Sequence, residues 1–158
     1  MSAVGSNHIE GMQRALKERT RDGPQSEQIS TALITAAMVG DRLTVSELLN
    51  QGAGVDSRDH NGRTPLIEAA FGGHNEMVAL LIERGAVVNA IDADGWTALM
   101  EAASKGRTDM VQLLLNYNAD PTAIGDSGWT ALKLAARGNN RLVKLLRRAC
   151  QGRVTTVS

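Results

Sequence analysis

The chain has 158 residues, 42% of them hydrophobic but only 3% aromatic, and a formal net charge of +0. That length suits one domain, and a core short of rings must be built from Ala, Leu, Val, Ile and Met, the side chains of thin, closely packed helices. One cysteine, Cys150, excludes an internal disulfide and agrees with a reducing compartment. No apolar run approaches the roughly 18 residues of a membrane span, and the opening MSAVGSNHIEG lacks the basic and apolar regions of a secretory leader. The expectation is a soluble intracellular protein, cytoplasmic or nuclear.

Residues 7–22 are predicted to form an amphipathic helix. Asn7 and Glu10 have capping-box spacing, and Ile9, Met12 and Leu16 share one helical face. Gly11 inside it costs about 1 kcal/mol relative to Ala, and Gly23-Pro24 stops it. With its linker this segment, residues 1–28, is expected to cover the open end of the array that begins at Ile29.

From Ile29 the chain repeats. GRTPLIEAA at residues 62–70 returns as GWTALMEAA at 95–103 and GWTALKLAA at 128–136, each copy 33 residues after the last. A degenerate first unit holds Thr31-Ala32-Leu33, Ala36-Ala37, Val45, Leu48-Leu49 and Gly52-Ala53 in the same register. The units run approximately over 29–58, 59–91, 92–124 and 125–151, and residues 152–158 form a tail.

Each recurring position has a physical reason. Thr64 before Pro65 starts a helix, because the hydroxyl caps free N–H groups and proline suits the first turn. Paired alanines let this helix approach its neighbours closely. Gly40, Gly72-Gly73 and Gly106 break it, and Asn75 and Thr108 are expected to cap a second helix. That helix buries Met77, Val78, Leu81 and Ile82, or Met110, Val111, Leu114 and Leu115, and in the last unit Val143, Leu145 and Leu146. Gly52, Gly85 and Asn118 end it, being residues that tolerate a left-handed turn. The Asp-rich stretches at 88–96 and 124–129 have turn chemistry and read as projecting hairpin-like loops.

Together these residues resemble the ankyrin repeat, one turn and two helices with a period of about 33 residues. Gly62, Thr64, Pro65, Leu66, Ala69, Ala70, Gly73, His74, Val78, Leu81, Gly85, Ala86 and Asn89 stand where that family's pattern places them. The resemblance implies an all-α fold: an ankyrin-repeat solenoid of stacked helix-turn-helix units with projecting hairpin-like loops. It also implies a non-catalytic protein-interaction module (adaptor, scaffold or inhibitor) that binds through its concave face and loop tips.

Three departures qualify it. The family's histidine after Thr-Pro-Leu is replaced by Ile34, Ile67, Met100 and Lys133, so ties between units are expected to rest on apolar contact. The first unit has Ile29 at the loop glycine. The fourth unit is one residue short and carries Arg147 at an apolar position, as a polar-faced cap would.

No catalytic motif, metal-ligand spacing or cofactor loop is present, so catalytic, metal and cofactor sites are all expected to be absent. Glu68 and Glu101 recur in register, which repetition explains more cheaply than acid catalysis. Trp96 and Trp129 share a register with Arg63, a position that the family commonly uses for contacts. The alternative for each indole is packing on the base of the adjacent loop. Phe71, Ser104, Lys105 and Arg137 end the first helices and are expected on the same concave side. His60, Asn61, Ala93, Asp94, Asp126 and Ser127 form its rim. These residues are the expected contact surface for another protein, bound by a monomer.

Charge is unevenly placed. All 17 acidic residues lie at or before Asp126, after which come Lys133, Arg137, Arg141, Lys144, Arg147, Arg148 and Arg153. This basic end supports an alternative function, a regulatory cofactor contacting nucleic acid or an acidic partner. With no aromatic residue after Trp129, nucleic acid is the disfavoured partner of the two.

Overall fold

The computed structural model describes residues 24–154. Among them eight α-helices occur in pairs, with one short 3-10 turn and no strand. They are α1 (Pro24–Val39), α2 (Arg42–Asn50), α3 (Pro65–Gly72), α4 (Asn75–Glu83), α5 (Ala98–Ser104), α6 (Thr108–Asn116), α7 (Ala131–Ala135) and α8 (Asn140–Val154). The 3-10 turn, Asp126–Gly128, lies in the last loop.

The helix expected over residues 7–22 lies outside the described residues. Pro24 opens α1, since the first helical turn has no use for the N–H that proline lacks. The first helix therefore begins ahead of Ile29.

Threonine caps start the inner helices as the repeated phrase implied. Thr64, Thr97 and Thr130 adopt extended backbone, and their hydroxyls accept from the N–H of Ile67 (3.3 Å), Met100 (3.2 Å) and Lys133 (3.2 Å). The expectation that Asn75 and Thr108 cap the second helices is corrected: both are the first helical residues. The cap positions are His74 and Arg107, neither of which makes a side-chain cap bond. Their side chains reach back to the preceding unit instead. His74 Nε2 lies 2.9 Å from the Met38 carbonyl oxygen, and Arg107 Nη2 donates to the Phe71 carbonyl at 3.3 Å. Asp41 and Asn139 do cap, accepting from the N–H of Thr44 (3.2 Å) and Leu142 (3.1 Å). The second helices end as expected, with Gly52 at φ 95°, Gly85 at φ 94° and Asn118 at φ 66°.

The first helices stack in the order α1, α3, α5, α7, and α4, α6 and α8 form a second row behind them. Alanines at 36, 37, 69, 70, 102, 103 and 135 are buried in the first row, which is how helices this short pack closely enough to exclude water. Leu33, Leu66, Ile67, Leu99, Met100, Met77, Leu81, Met110 and Leu114 fill the space between rows. Each such side chain contributes about 1.5–3 kcal/mol when fully buried. In the last unit Leu142 and Leu146 are fully buried. Val143 and Leu145 are only partly covered and Arg147 is exposed, because no further unit packs against them among the described residues.

Units are not tied by apolar contact alone, which corrects the expectation drawn from the missing histidine. Besides His74 and Arg107, Asp56 Oδ1 accepts from Val87 N–H at 3.0 Å, and Asn89 Oδ1 does the same from Asp120 N–H at 2.8 Å one unit later. The loops also join side by side. Ala93 N–H donates to the Asn61 carbonyl and Asp126 N–H to the Asp94 carbonyl, both at 2.9 Å. Each loop closes on itself through Asp59 to Arg63, Asp92 to Trp96 and Gly125 to Trp129 backbone bonds of 2.8–3.1 Å. These loops are hairpin-like in bonding, though no strand is formed.

Candidate protein-binding face

Phe71 is the next-to-last residue of α3, Ser104 ends α5 with Lys105 directly after it, and Arg137 comes two residues after α7. All four are exposed, Phe71 at 38%. The ring of Phe71 has two cations close to it, with Lys105 Nζ 4.6 Å and the Arg63 guanidinium 5.5 Å from its centroid. Cations over an aromatic face contribute about 0.5–1 kcal/mol each at an open site, enough to hold the ring in one place while it stays accessible. The same chemistry recurs at the far end, where the Arg137 guanidinium lies 4.8 Å from the Trp129 ring.

Beneath Phe71, Arg63 is the hub of an ionic network. Its Nη1 pairs with Glu101 at 2.7 Å and Asp92 at 3.4 Å, and its Nε pairs with Glu68. Side-chain exposure is 17% for Arg63, 10% for Glu68 and 7% for both Asp92 and Glu101, so the network is nearly enclosed. Burial opposes the Arg63 charge, but hydrogen bonding and attraction from Glu101 and then Glu68 outweigh it and raise its pKa. Glu68 belongs to one unit and Asp92 and Glu101 to the next, so a single guanidinium ties two repeats together. Each of these carboxylates binds Arg63, which leaves their pairing to structure.

The register that groups Arg63, Trp96 and Trp129 therefore has three environments. Arg63 is engaged internally. Trp96 is half-buried and seats on the neighbouring loop: a Cβ placed on Gly125 would stand 3.4 Å from its Cδ1. Trp129 is half-buried against the core and Arg137. The loop difference has a simple origin. Asp59 Oδ1 accepts from Asn61 and Arg63 N–H, and Asp92 Oδ1 from Asp94 and Trp96 N–H, all within 3.0 Å. Glycine replaces aspartate at 125, and that loop turns instead through Ser127 at φ 61°.

The rim residues His60, Asn61, Ala93, Asp94, Asp126 and Ser127 are all exposed at the loop tips. His60 also lines a groove of about 660 Å³ with Ser30, Thr35, Met38, Arg58 and Glu68. Met38 was missed in the sequence, although it stands 33 residues before Phe71 and is equally exposed at 38%. The offset alone was a usable signal. Among the described residues no cluster of His, Cys, Asp and Glu is arranged to hold a metal ion, and no helix is long and apolar enough to cross a membrane.

Paired short helices stacked in two rows, with loops bonded edge to edge along one side, define a helix-pair repeat solenoid. A family profile described as Ankyrin repeats (3 copies) matches residues 1–92 and 88–156. The chain belongs to the ankyrin-repeat family. No curated protein matches it. Ankyrin repeats are in general protein–protein interaction units.

Proposed function

We propose that this chain is a non-catalytic adaptor, scaffold or inhibitor that binds a protein partner along the first row of helices and the loop tips. The carrying observation is Phe71, an aromatic ring left 38% exposed with Lys105 and Arg63 in cation–π contact with it. Rings held in this way are the side chains on which interface energy concentrates. Met38 extends the apolar contact one unit back, and Trp129, with the polar Ser104 and Arg137, extends the surface forward. Trp96 supports the surface from the base of the next loop. Asp94 and Asp126 at the tips favour positive groups on the partner's edge, with His60, Asn61, Ala93 and Ser127 completing the rim. The polar and ionic ties between units hold this surface rigid before the partner arrives, so little order is lost on binding. In this reading the protein acts as an intracellular monomer.

A photo-crosslinking residue introduced at Phe71, and separately at Glu83 on the second row, tests the reading in the source cell. Crosslinks to one protein from position 71 and none from position 83 are expected. Phe71→Glu should abolish the partner's capture by the otherwise unlabelled chain while leaving the circular dichroism spectrum unchanged. Equal yields from both positions, or capture that survives Phe71→Glu, would refute the placement.

A further inference from the structure

The second row of helices carries a groove that has no part in the surface around Phe71. α8 presents Arg141, Lys144, Leu145 and Arg148 at spacings i, i+3, i+4 and i+7, and Thr108, Asp109 and Gln112 of α6 form the facing wall. The groove encloses about 310 Å³. Arg141, Lys144 and Arg148 are exposed, and none forms an ion pair with a described residue, whereas Arg42 and Arg63 do. Solubility at the end of the array explains cations near a helix C-terminus, where they also complement the helix dipole. It does not explain Arg141 and Lys144, which stand in the first turns of α8 against the dipole, with no acidic residue in the first turn to offset them. Asn139 already caps the end by accepting from Leu142 N–H. The unusual feature is thus the row of cations itself, which spans roughly 10 Å at ~1.5 Å rise per residue.

We infer that this groove docks an acidic amphipathic helix of a partner protein. An apolar side chain of that helix rests on Leu145, and carboxylates at matching helical spacing meet Arg141, Lys144 and Arg148. Two observations favour a peptide over nucleic acid. An apolar residue, Leu145, lies between the cations, and no aromatic ring lines the groove for bases to stack upon. Asp109 is the one carboxylate in the lining and weakens the field without reversing it.

The test is fluorescence anisotropy on the full chain with two labelled probes: a short helical peptide of Glu and Leu at three- and four-residue spacing, and a polyuridine strand. The peptide should bind at low salt and weaken as salt is added. The R141E/K144E/R148E variant should lose at least about tenfold in peptide affinity with its circular dichroism unchanged. Asp109→Asn, a conservative change at the groove wall, should tighten the peptide about two- to threefold and guards against a triple variant that fails to fold. Absence of peptide binding at low salt, polyuridine binding tighter than peptide, or a folded triple variant of unchanged affinity each overturns the proposal. Phe71→Glu should leave peptide affinity unaltered, which separates this groove from the face carrying Phe71.

Discussion

Replacing Arg63 with alanine leaves Glu68, Asp92 and Glu101 close together in a nearly enclosed space with no cation among them. Removing one partner of a buried ion pair costs about 3–5 kcal/mol, mostly the penalty on the charge left behind. Arg63 retains 17% exposure, which admits some water, and Asp92 keeps its bonds from the N–H groups of Asp94 and Trp96. The lower end, about 3 kcal/mol, is the expectation. For a chain of this size that corresponds to a melting point about 6–12 °C lower. Urea unfolding followed by circular dichroism at pH 7 measures it directly. Adding Glu68→Gln and Glu101→Gln in the same background removes the stranded charges and should recover more than half of the loss. Because Arg63 spans two repeats, the single variant should also broaden the transition, as the units on either side uncouple. A loss below about 1 kcal/mol, or a triple variant no more stable than Arg63→Ala, would show that the network contributes no more than surface pairs do.

Three further outcomes rest on the same kind of contact. Thr97→Ala removes the cap from Met100 N–H at the start of α5 and should destabilise by about 1 kcal/mol, read by urea titration; a neutral result would mean that water replaces the hydroxyl. Trp96→Ala should cost about 2 kcal/mol, since the indole seats on the Gly125 loop between two units. Trp129→Ala should cost less, and the reverse order of the two melting points contradicts that packing. Asp41 has its pKa lowered by the Thr44 hydroxyl and then by the Thr44 N–H. A carboxylate depressed in the folded state stabilises fully above its unfolded value, about 3.9, and loses that contribution as pH falls through the folded value. The stability gap between wild type and Asp41→Asn should therefore close as pH is lowered below about 4; a gap constant from neutral to strongly acid pH excludes the effect.

Much of the fold was readable because its determinants are local. A threonine before the first turn, a proline inside it and a glycine or asparagine after the last act on their own helix, whatever surrounds it. Thr64, Thr97, Thr130, Gly52, Gly85 and Asn118 all behave as their residue types and register require. Asn75 and Thr108 misled because two neighbouring positions compete to be the cap. Contacts with the previous unit, His74 to Met38 and Arg107 to Phe71, decided that competition.

The candidate site divides along the same line. Repetition placed Phe71, Ser104 and Arg137 in one register and the loop tips in another, and all of these are exposed. It could not separate Arg63 from Trp96 and Trp129, because sharing a register says nothing of what the next unit places alongside.

By itself, then, the sequence determined the repeat, most of its helix start and stop signals, the stack and the family. These arise from short-range geometry copied every 33 residues. Only the tertiary structure decided which polar groups are spent inside and which stay exposed. That outcome depends on charges brought together from different repeats: Arg63 pairs with Glu68, Asp92 and Glu101, while Arg141, Lys144 and Arg148 form no ion pair with a described carboxylate. Pairing across units is a matter of distance in space, and the linear register does not contain it.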